Sequence, residues 1–285
     1  MMYAPPNFFI VGTPKGGTTS LFNYLEQHPE IFVPEVKEPH YFSMPEVTKT
    51  YYKTQFITNE GDYKNLYAEA EGFKAIGDFS SSYLYHSDSA KKIKQFNPEA
   101  KIIVVLRNPW ERSLSHYLMD YTQGYISVPL AKVLDSPEEF PAYYQQYVSV
   151  SAYADQLRAY YEVFPKEHLL IVLSEDLFQH TQQELERIFS FLGVEKSFVP
   201  KAEKAHNQYK QPRFAFVGKL KQSKALQAIL KRTPEGLKGF MGKILFDASK
   251  SKPDLLEERA RLKKLLLPSV KATEKHIHKD LSHWE

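Results

Sequence analysis

Four short apolar runs punctuate the chain: FFIV at 8–11, AIG at 75–77, IIVVL at 102–106 and LLIVL at 169–173. Their length and their polar or turn-forming borders predict buried strands. Between them the apolar period changes. Leu21, Phe22 and Leu25 share one helical face after the first run, and Leu114, Tyr117, Leu118 and Tyr121 follow the i, i+3, i+4, i+7 rule after the third. Strands alternating with helices predict an α/β fold, a central parallel sheet flanked by helices on both faces.

In such sheets ligands sit beyond the carboxyl ends of the strands, so the residues after FFIV and IIVVL are the first to read for chemistry. The tyrosine-rich stretch 121–153, which also holds Pro129, Pro137 and Pro141, reads as an insertion able to wall an acceptor site. From 219 onward the pattern is helical and basic, and Leu220, Leu226, Ile229 and Leu230 fall on one stripe. With 285 residues and no clear linker, one large domain over 1–285 is expected.

Composition narrows the chemistry. There is no cysteine, which excludes disulfides, thiolate metal sites and a thiol nucleophile. The N-terminal MMYAPPNFFIVGTPKGG lacks a basic leader, and FFIV is too short for a signal peptide or membrane span, so a cytoplasmic protein is expected. Net charge is +3 but unevenly spread: residues 1–200 carry 17 Lys/Arg against 25 Asp/Glu, and 201–285 carry 20 against 9. The basic loop and helices of 201–252 should face something anionic, with peripheral membrane contact as one reading and a solvated surface as the plainer one. No nucleic-acid partner is expected.

The sequence IVGTPKGGTTSLFNYL runs from strand through a glycine-containing loop into a helix opening with Thr18, Thr19 and Ser20. That is an anion cradle: Gly16 and Gly17 admit close approach of backbone N–H groups, the helix N-terminus favours negative charge, and Lys15 adds a point charge. A nucleotide-kinase loop reads GxxxxGK followed by Ser or Thr. Here Gly12 and Gly17 have that spacing, but Thr18 stands where the lysine belongs, and the best magnesium-holding carboxylate, Asp78, follows the weakest strand. An ATP-dependent small-molecule kinase is therefore the alternative, on a P-loop-type scaffold that the sequence only partly supplies.

PKGGTTSL resembles the 5′-phosphosulfate loop of sulfotransferases that use 3′-phosphoadenosine 5′-phosphosulfate (PAPS), in the branch of the heparan sulfate glucosaminyl 3-O- and N-sulfotransferases and their bacterial relatives. KEPHYF (37–42), IIVVLRNPWERSLSHY (102–117), YADQLRAYYEVFPKEHLLIVLSEDL (153–177), FLGV (191–194) and KDLSHW (279–284) resemble family segments in family order. The resemblance implies a P-loop-type α/β domain that moves a sulfuryl group from PAPS to an acceptor hydroxyl on a carbohydrate or small molecule. The product would be adenosine 3′,5′-bisphosphate, and no metal would be required.

It also implies roles. Arg107 and Ser115 would bind the 3′-phosphate. On the residues alone, Asn108, Pro109 and Glu111 fit the N-cap, N1 and N3 positions of a helix that starts there. Arg213, in HNQYKQPR at 206–213, is a looser match to a basic loop that closes over the nucleotide. Glu38 would be the catalytic base, His40 a supporting residue or, as in other branches, the base itself, and Lys15 would stabilise charge on the leaving oxygen. A plain ion pair between Glu38 and Lys37 is the competing reading of that loop. GDFSSSYL (77–84) departs from the family: Asp78 keeps an acid, but Phe79 replaces a lysine, so one sulfate-side contact is missing or comes from elsewhere. A non-catalytic binding protein docking through the basic helices 219–246 is the remaining rival.

Overall fold

The computed structural model describes residues 4–52, 56–201 and 253–285, together with the backbone of 211–212 and 246–247. Five strands, β1 (Phe8–Gly12), β2 (Ile31–Phe32), β3 (Ala75–Phe79), β4 (Lys101–Leu106) and β5 (Leu169–Leu173), form one sheet in the order β2-β3-β1-β4-β5. Every pairing in it is parallel. All four predicted runs are thus strands, and β2 is the addition: two residues leave no period to detect. A separate antiparallel pair joins β6 (Gln211–Pro212) to β7 (Phe246–Asp247). The rest of the basic stretch 201–252, Arg213 included, lies outside the described residues after Lys201.

The helices are α1 (Thr18–Leu25), α2 (Glu60–Asn65), α3 (Asp88–Phe96), α4 (Pro109–Gln123), α5 (Leu130–Asp135), α6 (Pro141–Tyr147), α7 (Tyr153–Tyr161), α8 (Ser174–Gln179), α9 (Thr181–Leu192) and α10 (Leu256–Ile277). They cover both faces of the sheet, which is why its strands read as unbroken apolar runs. Phe8 and Ile10 of β1 pack with Leu21 and Leu25 of α1 and with Leu185, Ile188 and Phe189 of α9. Phe9 and Val11 turn to the other face, among Ile93 of α3, Leu114 of α4, Leu157 of α7 and Leu266 of α10. Each fully buried Leu or Ile contributes about 1.5–3 kcal/mol of transfer free energy, which sets the register of every element carrying one.

α4 begins as its sequence predicts: the Asn108 side chain accepts from the Glu111 N–H at 3.3 Å with Pro109 in the first turn, and Gly124 closes the helix at φ 74°. Its buried face differs from the apolar rule. Tyr121 is 40% exposed, whereas Arg112, Ser113, His116 and Asp120 are buried. A polar stripe at i, i+4, i+8 therefore points inward, and it is stable only because other elements supply partners. At the far end of the chain, Trp284 donates through Nε1 to Glu175 of α8 at 2.5 Å, and Lys279 lies 3.5 Å from Asp176. These contacts hold α8 over the carboxyl end of β5. Among the described residues no helix is long and apolar enough to cross a membrane.

Candidate active site

β1 and β4 are neighbours, and the loop leaving β1 is stitched to β4 where the Thr13 N–H donates to the Val105 carbonyl at 2.8 Å. Gly16 follows so closely that a Cβ there would lie 2.8 Å from the Val105 oxygen and 3.0 Å from the Thr13 oxygen. Only glycine lets the backbone pass. Lys15 at φ 68° and Gly17 at φ 106° turn the chain into α1, whose N-terminus has no side-chain cap and no acidic residue in its first turn. Its first N–H groups therefore have no partner within the helix, and the helix end favours an anion. Thr18 is buried, Ser20 half-buried and Thr19 exposed.

Two cations flank this cradle. Arg107, directly after β4, donates through Nη1 to the Lys15 carbonyl at 3.2 Å, and its own carbonyl accepts from the Tyr153 hydroxyl at 2.9 Å. Among the described residues neither Lys15 nor Arg107 forms an ion pair with a carboxylate; the Lys15 ammonium rests 3.4 Å from the Met119 sulfur. Burial, and then the Arg107 charge, push the Lys15 pKa down. An anion bound between the two would offset both effects and favour the charged lysine. Ser115 is half-buried one turn before Met119, on the same α4 face, and its hydroxyl has no hydrogen bond among the described residues.

The KEPHYF loop lies across from the cradle. Glu38, at φ 64°, is pinned through Oε2 by the Ser81 N–H at 2.7 Å and the Ser81 hydroxyl at 3.0 Å. His40, at φ 57°, shares a 2.7 Å hydrogen bond with Ser82 through Nδ1, and its Nε2 is 3.9 Å from the same Glu38 oxygen. Burial lowers the His40 pKa, outweighing the nearby carboxylate. Lys37 spans the two halves: its ammonium is 3.0 Å from Thr19 Oγ1 and 3.4 Å from Glu38 Oε1. The ion pair with Glu38 exists, but it is also a bridge to the cradle, a link that adjacency in sequence does not reveal.

Glu38 and His40 line a cavity of about 270 Å³, which meets the cradle at Pro14 and Met119. The stretch 121–153 contributes Gln123, Tyr125, Gln146 and Val150 to its wall. Behind it the inward stripe of α4 finds its partners. Asp120 accepts from the hydroxyls of Tyr51, Tyr52 and Tyr147, the last two at 2.8 Å, and His116 Nε2 is 2.6 Å from the Tyr52 hydroxyl. Arg112 contacts His116 Nδ1 at 3.2 Å and Ser151 at 2.6 Å. This network was hidden in the sequence because its members come from separate segments; its only local sign was the 112/116/120 spacing.

Two readings at the end of β3 are resolved here. Asp78 is fully buried and accepts from Tyr63 at 2.7 Å, Tyr83 at 3.0 Å and Ser80 at 3.0 Å, so its oxygens are occupied where a kinase would hold magnesium. Phe79 is 2% exposed and packs edge-on against Phe8 and Phe22. The side chain at that position serves the core, and Lys37 is the cation found near the cradle instead.

The family model described as "Sulfotransferase domain" matches residues 5–240. A solved sulfotransferase from Alicyclobacillus acidocaldarius superposes with a TM-score of 0.74 at 30% identity, covering 99% of both chains. The human heparan sulfate glucosamine 3-O-sulfotransferase 6 is 27% identical over 193 residues, 67% of this chain and 53% of that one. The membrane-associated sulfotransferase kil1 of Dictyostelium discoideum is 36% identical over 112 residues, 39% of this chain and 22% of that one. The chain thus spans about half the length, or less, of these curated relatives. With a family model over most of its length and a full-length structural counterpart, the chain belongs to the sulfotransferase family.

Proposed function

We propose that the protein transfers the sulfuryl group of PAPS to an acceptor hydroxyl, releasing adenosine 3′,5′-bisphosphate. The observation that carries this reading is the pair of cations, Lys15 and Arg107, without carboxylate partners among the described residues and tied together beside an uncapped helix N-terminus. Two separated anionic groups on one nucleotide fit that arrangement better than a single phosphate chain does. Gly16 seats the loop against β4 where a Cβ has no room, and the uncapped α1 N-terminus that follows offers N–H donors, so the residues present fit the co-substrate.

In this scheme the α1 N-terminus, Lys15 and the hydroxyls of Thr18, Thr19 and Ser20 hold the 5′ end, while Arg107 and Ser115 hold the 3′-phosphate. Glu38 takes the acceptor proton, and Ser81 fixes its orientation. His40, kept neutral by burial, braces the acceptor side through Ser82. Lys15 and Lys37 lie where negative charge accumulates as the sulfur–oxygen bond breaks, and such fixed charges lower the barrier because they need no reorganisation. The name of the heparan sulfate relative makes carbohydrate hydroxyls one acceptor class to test, and small-molecule hydroxyls are the other.

Calorimetry with adenosine 3′,5′-bisphosphate, AMP and ATP, without magnesium, tests the reading. The bisphosphate should bind much more tightly than either. Equal affinity for AMP removes the second phosphate site, and a magnesium-dependent preference for ATP supports a kinase instead.

A further inference from the structure

The acceptor cavity has a chemical character of its own. Its body is formed by Val47, Phe56, Tyr85, Met119, Tyr125 and Val150, and Phe56 stands edge-on to His40 with ring centroids 5.6 Å apart. Among the described residues that line it, no lysine or arginine appears, and Glu38 is the one carboxylate. The two further histidines in the wall are uncharged at neutral pH, since burial drives His86 down to about 4 and His116 well below its ordinary value. Tyr85 and His86 also line an adjoining groove of about 630 Å³, whose charged wall residues are Glu46, Asp88 and Asp155. Lys49 and Arg158 pair with two of these but do not line the groove.

A sulfated or carboxylated chain entering this route would meet carboxylates at the groove and at Glu38, with no fixed cation among the described wall residues to offset its desolvation. An apolar body loses nothing by entering and gains from the aromatic walls. The volume falls just under the roughly 300–1,000 Å³ usual for drug-sized ligands, so the buried part of the acceptor is compact.

We infer that the acceptor is an uncharged alcohol or phenol with a compact apolar body, which seats among Phe56, Tyr125 and Val150 and presents its hydroxyl to Glu38. This rests on the sulfuryl-transfer reading and narrows it away from the polyanionic acceptor that the name of the heparan sulfate relative describes.

The test begins with calorimetric binding of adenosine 3′,5′-bisphosphate and continues with transfer from radiolabelled PAPS. The uncharged probes are 2-naphthol and decanol, which separate phenol from alkyl alcohol. The anionic probes are heparan sulfate and its desulfated, still carboxylated form. Transfer to one of the uncharged probes should exceed transfer to either anionic chain at least tenfold. Phe56→Ala should raise the KM for that probe about tenfold and leave bisphosphate affinity unchanged. Equal or faster labelling of an anionic chain overturns the inference, as does a nucleotide-binding protein that labels neither uncharged probe, or a Phe56→Ala variant with unaltered KM. Failure to bind the bisphosphate at all overturns the transfer reading itself.

Discussion

Arg107 donates to the main-chain oxygen of Lys15 at 3.2 Å, so the cation that ends β4 is fastened to the loop that ends β1. The two halves of the proposed nucleotide site are thereby joined. Replacing Arg107 by Ala should weaken binding of adenosine 3′,5′-bisphosphate by about 1.5–3 kcal/mol, the range for hydrogen bonds to charged groups. AMP, lacking the second phosphate, should lose less. Calorimetry with both nucleotides checks this, and a large fall in melting temperature at unchanged affinity assigns Arg107 to the scaffold instead.

Glu38 and His40 are separable by substitution. Glu38→Gln keeps the shape and the Ser81 contacts but cannot take a proton, so turnover should fall roughly a hundredfold or more while bisphosphate affinity holds. His40→Asn should be milder. A dead histidine variant beside an active glutamine variant exchanges the two roles.

Lys37 provides the next prediction. Because its ammonium reaches both Thr19 and Glu38, Lys37→Met should lower turnover about a hundredfold, the lower end for loss of a preorganised electrostatic donor. Lys37→Arg should restore part of it. The measurement is steady-state kcat beside bisphosphate affinity; an unchanged kcat leaves Lys37 as a surface ion pair.

Asp78 gives a pH signature. Burial raises its carboxyl to about 7, against the pull of the Tyr63, Ser80 and Tyr83 hydroxyls. The folded chain then binds a proton more readily than the unfolded chain between about pH 4 and 7. Stability from this group is full below that window and is lost as pH rises through it. Asp78→Asn removes the titration, so the stability of the wild type relative to the variant should fall by a few kcal/mol from pH 4 to pH 8. His86, depressed to about 4, pulls the opposite way because its neutral form stabilises the fold as pH rises toward 6.5. It is present in both proteins and cancels in the comparison. Urea unfolding at four pH values decides, and a pH-independent difference would sink the assignment.

The sheet was legible because a strand covered on both faces needs apolar side chains at every position, and FFIV, IIVVL and LLIVL have them. The cradle was legible because a glycine with no room for a Cβ, next to a lysine and hydroxyls, leaves a local mark. What stayed hidden was made by long-range contact. Nothing in the sequence singles out Asp120, over which Tyr51, Tyr52 and Tyr147 meet in the fold, and Lys37 read as the neighbour of Glu38 until the fold set Thr19 beside it. Phe79 read only as the replacement of a lysine whose contact is missing or comes from elsewhere; its place in the core, against Phe8 and Phe22, shows only in the fold.

The Asp120 network bears on more than shape. On the proposed function, the reacting hydroxyl would sit beside the protein's own tyrosines, for Tyr52 lines the cavity. Its oxygen, however, is committed to both carboxylate oxygens of Asp120 at 2.8 Å and to His116 at 2.6 Å, and burial pushes its pKa far up. Its one O–H is spent on Asp120 and its oxygen faces His116 Nε2, so the phenol is held neutral and turned toward the wall. On the proposed function, Tyr52 is thereby kept from standing as a second acceptor beside the guest.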